Sequence, residues 1–286
     1  ILIKGSILIF GGIRMRKLKR KIPKILKTLA LLTIILSLSF LSKIDNEKDV
    51  ITSTQSLSNK KIGWGIKRAD NHEQPDLGSE NKKLLEKYNG VAIGNSEKKV
   101  IYLTFDEGYE AGYTTQILST LKENQVTATF FITAHYVNTQ PDLVQQMIEE
   151  GHIVGNHTVN HKSMPELSED EIKSEVMDLH KVIYEKFNYE MKYIRPPKGE
   201  FSERTLSITN SFGYKNIMWS FAYEDWNEKQ QPDKEQAKTK ILKNLHNGEI
   251  MLLHGNSKTN TDILDSIIKE TKNMGYEFKS LDEFEK

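Results

Sequence analysis

From residue 99 onward the apolar positions of this chain switch repeatedly between two spacings. Residues 100–105 (VIYLTF) form a continuous, β-rich apolar run, which predicts a buried strand. Residues 112–124 then place Ile117, Leu118 and Leu121 at helical spacing. The alternation continues: a strand at 127–133, a helix at 141–151 opened by Pro and closed by Gly, and a short strand at 152–156. Ser168 with Glu171 three residues on forms a capping-box pattern that opens a long helix. A strand at 193–197, a helix from Ser202, a strand at 214–220, a helix over 233–245, a strand at 249–254, a helix over 262–274 and a strand at 276–281 complete the series. About seven strands alternating with helices over roughly 190 residues predict an α/β domain at 96–286 with a parallel sheet under helical cover. The sheet would be either a short barrel or an open, doubly wound one. Both place chemistry just beyond the C-terminal ends of the strands.

The segment before this domain has a different pattern. Eight basic residues crowd into 14–27, and an uncharged run, TLALLTIILSLSFLS, fills 28–42. A cationic stretch before an apolar stretch of this length predicts an export leader over residues 1–42, either a signal peptide or a retained membrane anchor. The body of the protein would then lie outside the cytoplasm, touching membrane only through that segment. Residues 43–95 read as a polar connector, flexible at first and then partly packed on the following domain around Trp64 and a helical pattern at 82–88.

Composition narrows the chemistry. The chain of 286 residues has no Cys, which excludes disulfide scaffolds, Cys-ligated metals and thiol catalysis. The formal charge of +1 conceals an imbalance: residues 1–42 hold nine of the 40 Lys and Arg and no acid, so 43–286 carry 31 basic against 39 acidic groups, a net −8. A mildly acidic body disfavours nucleic acid as a partner.

Reactive residues cluster where the strand ends are expected. Asp106-Glu107 follows the first strand, His157-x-x-x-His161 the third, Arg195-Pro196-Pro197 the fourth, and His254 ends the sixth, with Asp225-Trp226 between the last two. Each has an ordinary structural reading. An Asp-Glu pair before Gly is often a turn, Arg-Pro-Pro an extended edge and Leu-Leu-His a core strand; a lone His-x-x-x-His pair, which can meet one metal if the segment turns helically, is more often a surface or core pair. The placement of all four at strand ends on one rim favours a shared site. His135, His152, His180 and His246 lack these contexts and read as structural or solvated.

These five motifs, in this order, resemble the polysaccharide deacetylases, the NodB-like group or carbohydrate esterase family four, over about residues 99–282. TFDEGYEAGYT (104–114), GWG (63–65), EQPD (73–76) and RPPKGEFSE (195–203) resemble the branch that makes muramic δ-lactam in the spore cortex. The resemblance implies a distorted (β/α) barrel and N-deacetylation of N-acetylmuramic acid in peptidoglycan glycan strands by a monomer, after an amidase has removed stem peptides. It implies a divalent metal ion, zinc first, on His157, His161 and Glu107. It also implies Asp106 as general base held ionised by Arg195, and His254 as general acid oriented by Asp225. The chain departs from the family pattern at two positions: Glu107 stands where the family has Asp, and Lys198 where it has an aromatic residue. A site of two His completed by waters therefore stays open, and Lys198 becomes a cation that would meet the lactyl carboxylate of muramic acid while its backbone N–H serves as an oxyanion donor. The competing functions are deacetylation of N-acetylglucosamine in peptidoglycan or chitin-like oligomers, and a catalytically weak wall-binding protein of the same fold.

Overall fold

The computed structural model describes residues 57–285. The expected leader at 1–42 and the first part of the connector lie outside the described residues. Among the described residues no helix is long and apolar enough to cross a membrane. In chain order the elements are β1 (Ile62–Gly63), α1 (Ser79–Lys87), β2 (Val100–Glu107), α2 (Thr114–Glu123), β3 (Thr129–Ile132), α3 (Ala134–Thr139), α4 (Pro141–Glu149), β4 (Ile153–Asn156), α5 (Glu169–Phe187), β5 (Tyr193–Ile194), β6 (Glu200–Phe201), α6 (Glu203–Ser211), β7 (Lys215–Asn216), α7 (Lys234–Asn244), β8 (Glu249–His254), α8 (Lys258–Asn273) and β9 (Glu277–Phe278).

Seven strands form the parallel sheet, in the order β7-β5-β4-β3-β2-β8 with β9 paired to the start of β2. Between β7 and β8, among the described residues, the wall is completed by isolated bridges, Val91 to Ile217, Ile93 to Glu249 and Phe221 to Met251. The result is an incomplete (β/α) barrel: of the two sheets that the alternating pattern left open, it is the one the resemblance implied. A second sheet, antiparallel β1 with β6, was not expected.

The pleat of β2 sets the site. All of Val100–Glu107 is buried, as for a parallel strand covered on both faces. Ile101, Leu103 and Phe105 pack in the outer layer with Ile117, Leu121, Leu264 and Ile268 from the helices. Val100 and Tyr102 pack in the barrel interior with Phe131, Ile153, Tyr193 and Ile250. Continuing that period of two sends Thr104 and Asp106 inward and Glu107 outward.

The helix starts follow side-chain caps. The capping box of Ser168 and Glu171 opens α5, Ser202 and Thr205 open α6, and Asp233 caps α7. α8 begins at Lys258 rather than Asp262, because Ser257 accepts from the Asn260 amide and starts the helix a turn earlier. Residues 57–95 pack along the barrel. The Trp64 amide donates to Gly199 O at 2.8 Å and its indole to Trp219 O at 2.9 Å, while the Arg204 amide donates to Ser58 O.

Candidate active site

A cavity of about 1000 Å³ opens at the C-terminal ends of the strands, lined among others by Asp106, His157, His161, Lys198, Trp219 and His254. Residues 89 positions apart meet here. The Arg195 guanidinium, fully buried, donates from Nη1 to Asp106 Oδ1 at 2.7 Å, from Nη2 to Thr104 Oγ1 at 2.9 Å and from Nε to Ile217 O at 3.2 Å. It also lies 4.2 Å over the Phe131 ring. Burial alone would push the Asp106 carboxyl up, but the Arg195 guanidinium beside it, first among the groups that favour the charged form, outweighs burial and holds the carboxyl below the usual carboxylate range. Asp106 is therefore ionised, with Oδ1 engaged by Arg195 and Oδ2 left facing His157 Nε2 at 3.5 Å.

His157 donates from Nδ1 to Arg195 O at 2.9 Å, which fixes the tautomer and leaves Nε2 as a lone pair. Its ring meets that of His161 edge-on, with centroids 4.7 Å apart. Burial lowers both imidazoles and keeps them neutral, His161 to about 4. The loop does not turn helically, as the sequence spacing suggested. Thr158 (φ 67) and His161 (φ 54) are left-handed instead, and these two kinks carry both rings to one side. Glu175 on α5 anchors the loop: its carboxylate accepts from the Asn160 amide and side chain, each at 2.7 Å. The sequence reading missed Glu175, whose position inside a helix gave no signal.

His254 ends β8 beside Asp106, with which it pairs in register. Its Nδ1–H donates to Asp225 Oδ1 at 2.7 Å, and its amide donates to Asp225 Oδ2 at 3.0 Å. Asn260 donates to the same Oδ2 and is itself bonded by the Tyr223 hydroxyl. Burial would lower the His254 imidazole, but Asp225 outweighs it and raises it above its ordinary value. An ionised carboxylate thus sits beside an imidazole biased toward its charged form, both on the wall of one cavity. Around them, Tyr109, Trp226 and Asn256 form a rim, with Asn256 donating to the Tyr109 hydroxyl and to Trp226 O. His135, read as structural or solvated, also lines the cavity.

Glu107 is not brought into this cavity. Its side chain lies on the outer face of β2, wholly buried, and neither carboxyl oxygen hydrogen-bonds to a described residue. Burial, then the neighbouring Glu110 and Asp106, raises it well above the usual range. The two neutral imidazoles suit a divalent cation by donor type. Among the described residues, however, no group of three His, Asp or Glu side chains is arranged to hold one.

Residues 93–217 match the polysaccharide deacetylase family. The chain is 42% identical over 235 residues, 81% of this chain and 89% of the relative, to the peptidoglycan-N-acetylmuramic acid deacetylase PdaA of Bacillus subtilis. It is 34% identical to a peptidoglycan-N-acetylglucosamine deacetylase of Bacillus cereus, over 67% of this chain and 90% of that one. The solved structure of PdaA from Bacillus subtilis, a family 4 carbohydrate esterase, superposes with a TM-score of 0.77 over 80% of this chain and 98% of that chain.

Proposed function

The chain belongs to the polysaccharide deacetylase family, a hydrolase of N-acetylated sugars, and on that premise we propose that it removes the acetyl group of N-acetylmuramic acid in peptidoglycan glycan strands. The observation that carries the reading is the presence, side by side in one cavity, of an Arg-held carboxylate and an Asp-held imidazole. The greater identity to a muramic acid deacetylase than to a glucosamine deacetylase supports the choice of sugar.

In this mechanism Asp106 Oδ2 takes a proton from the attacking water, whose oxygen bonds to the acetyl carbonyl carbon. Arg195 keeps the base ionised and aims it by engaging the other oxygen. As the C–N bond breaks, His254 delivers the Nε2 proton to the amine nitrogen, and Asp225 holds the ring in that tautomer. The products are acetate and a free amine. The family is metal-dependent, and His157 and His161 are the residues that would hold the ion, zinc in our reading. When bound, it supplies Lewis-acid polarisation of the acetamide carbonyl and acidifies water.

Lys198 stands on the cavity wall at φ 59, with no ion-pair partner within 4.0 Å among the described residues. A free cation there matches the lactyl carboxylate that distinguishes muramic acid from glucosamine. After deacetylation the freed amine and that carboxyl lie on one sugar, where δ-lactam closure gains greatly in effective molarity. The substrate places the protein's work at the cell wall.

Mass spectrometry of muropeptides from defined glycan strands, taken after incubation with the protein, tests the reading. Loss of one acetyl group from the muramic residue is expected, and a further loss of water would report ring closure. Acetyl loss from glucosamine alone would favour the second sugar, and no loss from either would sink the enzymatic reading.

A further inference from the structure

We propose that the metal of this site takes only two side-chain ligands from the protein, His157 and His161, and that Glu107 is an outer-face structural acid rather than the third ligand. The inference rests on the metal-dependent reading above, and deepens it.

Three independent observations place Glu107 out of reach. The first is the pleat: Asp106 lines the cavity and its neighbour on β2 faces the helical layer with Leu103 and Phe105. The second is the surroundings of the carboxyl group, which lies near Glu110 and Tyr136 of the outer layer. Tyr136 spends its hydroxyl on Glu110 and Thr114 rather than on Glu107. The third is Gly255: a Cβ there would fall on the Glu107 carboxyl group. A glycine immediately after His254 is what lets the backbone pass over that group. The fold thus reserves a place for the Glu107 side chain on the outer face of the strand.

The opposite placement has a cost that decides between them. To reach the imidazoles, Glu107 would have to leave this place and send its side chain across the strand that Asp106 already occupies. The β2–β3 register pairs Glu107 with Ile132, and the Thr133 amide donates to Glu107 O at 3.1 Å, so the backbone is fixed on the side that faces outward. With two imidazoles as its protein ligands, the remaining coordination positions fall to water and to substrate oxygens. Such a site binds its metal more weakly than one with three protein ligands and exchanges it more readily.

The test measures metal binding without substrate. Zinc is titrated calorimetrically into the wild-type chain and into E107Q, E107M, H157A and H161A, and each variant's melting temperature is recorded. The expected result is that E107Q and E107M keep the wild-type stoichiometry and a Kd within about threefold, whereas H157A and H161A weaken it at least about tenfold. A tenfold loss in E107Q at an unchanged melting temperature would overturn the inference. Crystals of the wild-type chain soaked in zinc decide the matter without a variant: an anomalous peak within about 2.2 Å of a Glu107 oxygen refutes it, and a peak on the two imidazoles alone supports it. Because no step needs a glycan, a failure here is separate from a failure to release acetate.

Discussion

Replacing Arg195 by Met removes the cation that is hydrogen-bonded to Asp106 inside the barrel. The guanidinium is fully buried, and three of its donors are bonded to Asp106, Thr104 and Ile217. Breaking one side of a buried pair costs about 3–5 kcal/mol, because the survivor is stranded without solvent. For a domain of this size each kcal/mol moves the melting temperature by about 2–4 °C, so R195M should melt roughly 6–20 °C below wild type. D106N strands the guanidinium instead and should lose a similar amount. In the double variant no ion is left behind, so its loss should fall short of the sum of the singles by about 2 kcal/mol or more. Urea unfolding of all four proteins at neutral pH measures this coupling. The pH dependence adds a second readout. In wild type Asp106 is held down, so its contribution is present above the ordinary carboxylate value and lost as pH falls through the lower folded value. Without Arg195, burial raises the group; its contribution is then complete below the ordinary value and lost as pH rises through the raised one. The stability gap between R195M and wild type should therefore narrow on acidification from neutral pH to about pH 4, while the acid limb of kcat/KM moves upward. Strict additivity of the two singles, or a gap that widens with acid, would refute the reasoning.

Three further outcomes are expected. In D225N the charge that raises His254 is gone and burial then lowers the imidazole, so the alkaline limb of the pH–rate profile should move to lower pH and kcat should fall by about tenfold or more; an unmoved limb removes His254 from the acid's role. K198M should raise KM on glycan strands with free lactyl carboxylates and leave KM unchanged where a stem peptide converts that carboxyl to an amide; equal effects on both would remove the lysine from substrate recognition. E175A frees the Asn160 loop and should weaken zinc binding by about 10- to 100-fold with His157 and His161 both present; calorimetry showing wild-type affinity would reduce Glu175 to a helix residue.

The strands and most helices were legible because their apolar spacing is strong and their starts are capped by visible residues. Ser168 with Glu171 is a capping box in the sequence and in the fold, and the helix expected over 233–245 is capped by Asp233. The short α3 was missed because it follows β3 directly, with Thr133 as both the last strand-like residue and the cap. The site was legible only as a set: no single motif distinguishes a turn from a catalytic pair, but a parallel sheet sends every strand end to the same rim. What the sequence obscured was the direction of adjacent side chains. Asp106 and Glu107 look like a pair on paper, and a strand separates them by its pleat. His135 was set aside for want of a motif, although the turn into α3 brings it to the cavity.

The backbone around the cavity explains why a short motif can be both reliable and misleading. Thr158, His161 and Lys198 all have positive φ, and none is glycine. A β-branched residue such as Thr158 enters that region at a cost of order 1–3 kcal/mol, so it persists only where surrounding contacts over-determine it. Those contacts are present: Asn156 Oδ1 accepts from the Thr158 amide at 2.8 Å, Thr158 O accepts from Ala134, and Thr158 Oγ1 accepts from the His161 amide at 3.1 Å. Asn156 is in turn fixed by Tyr214 and by Val176 O. The spacing of four between the two imidazoles therefore owes nothing to a helical turn. It follows from two left-handed kinks braced by a buried asparagine at the end of β4 and by Glu175 on α5. Any substitution that relaxes those braces should release the strain and separate the rings, which is why the residues that matter for the metal extend beyond those that touch it.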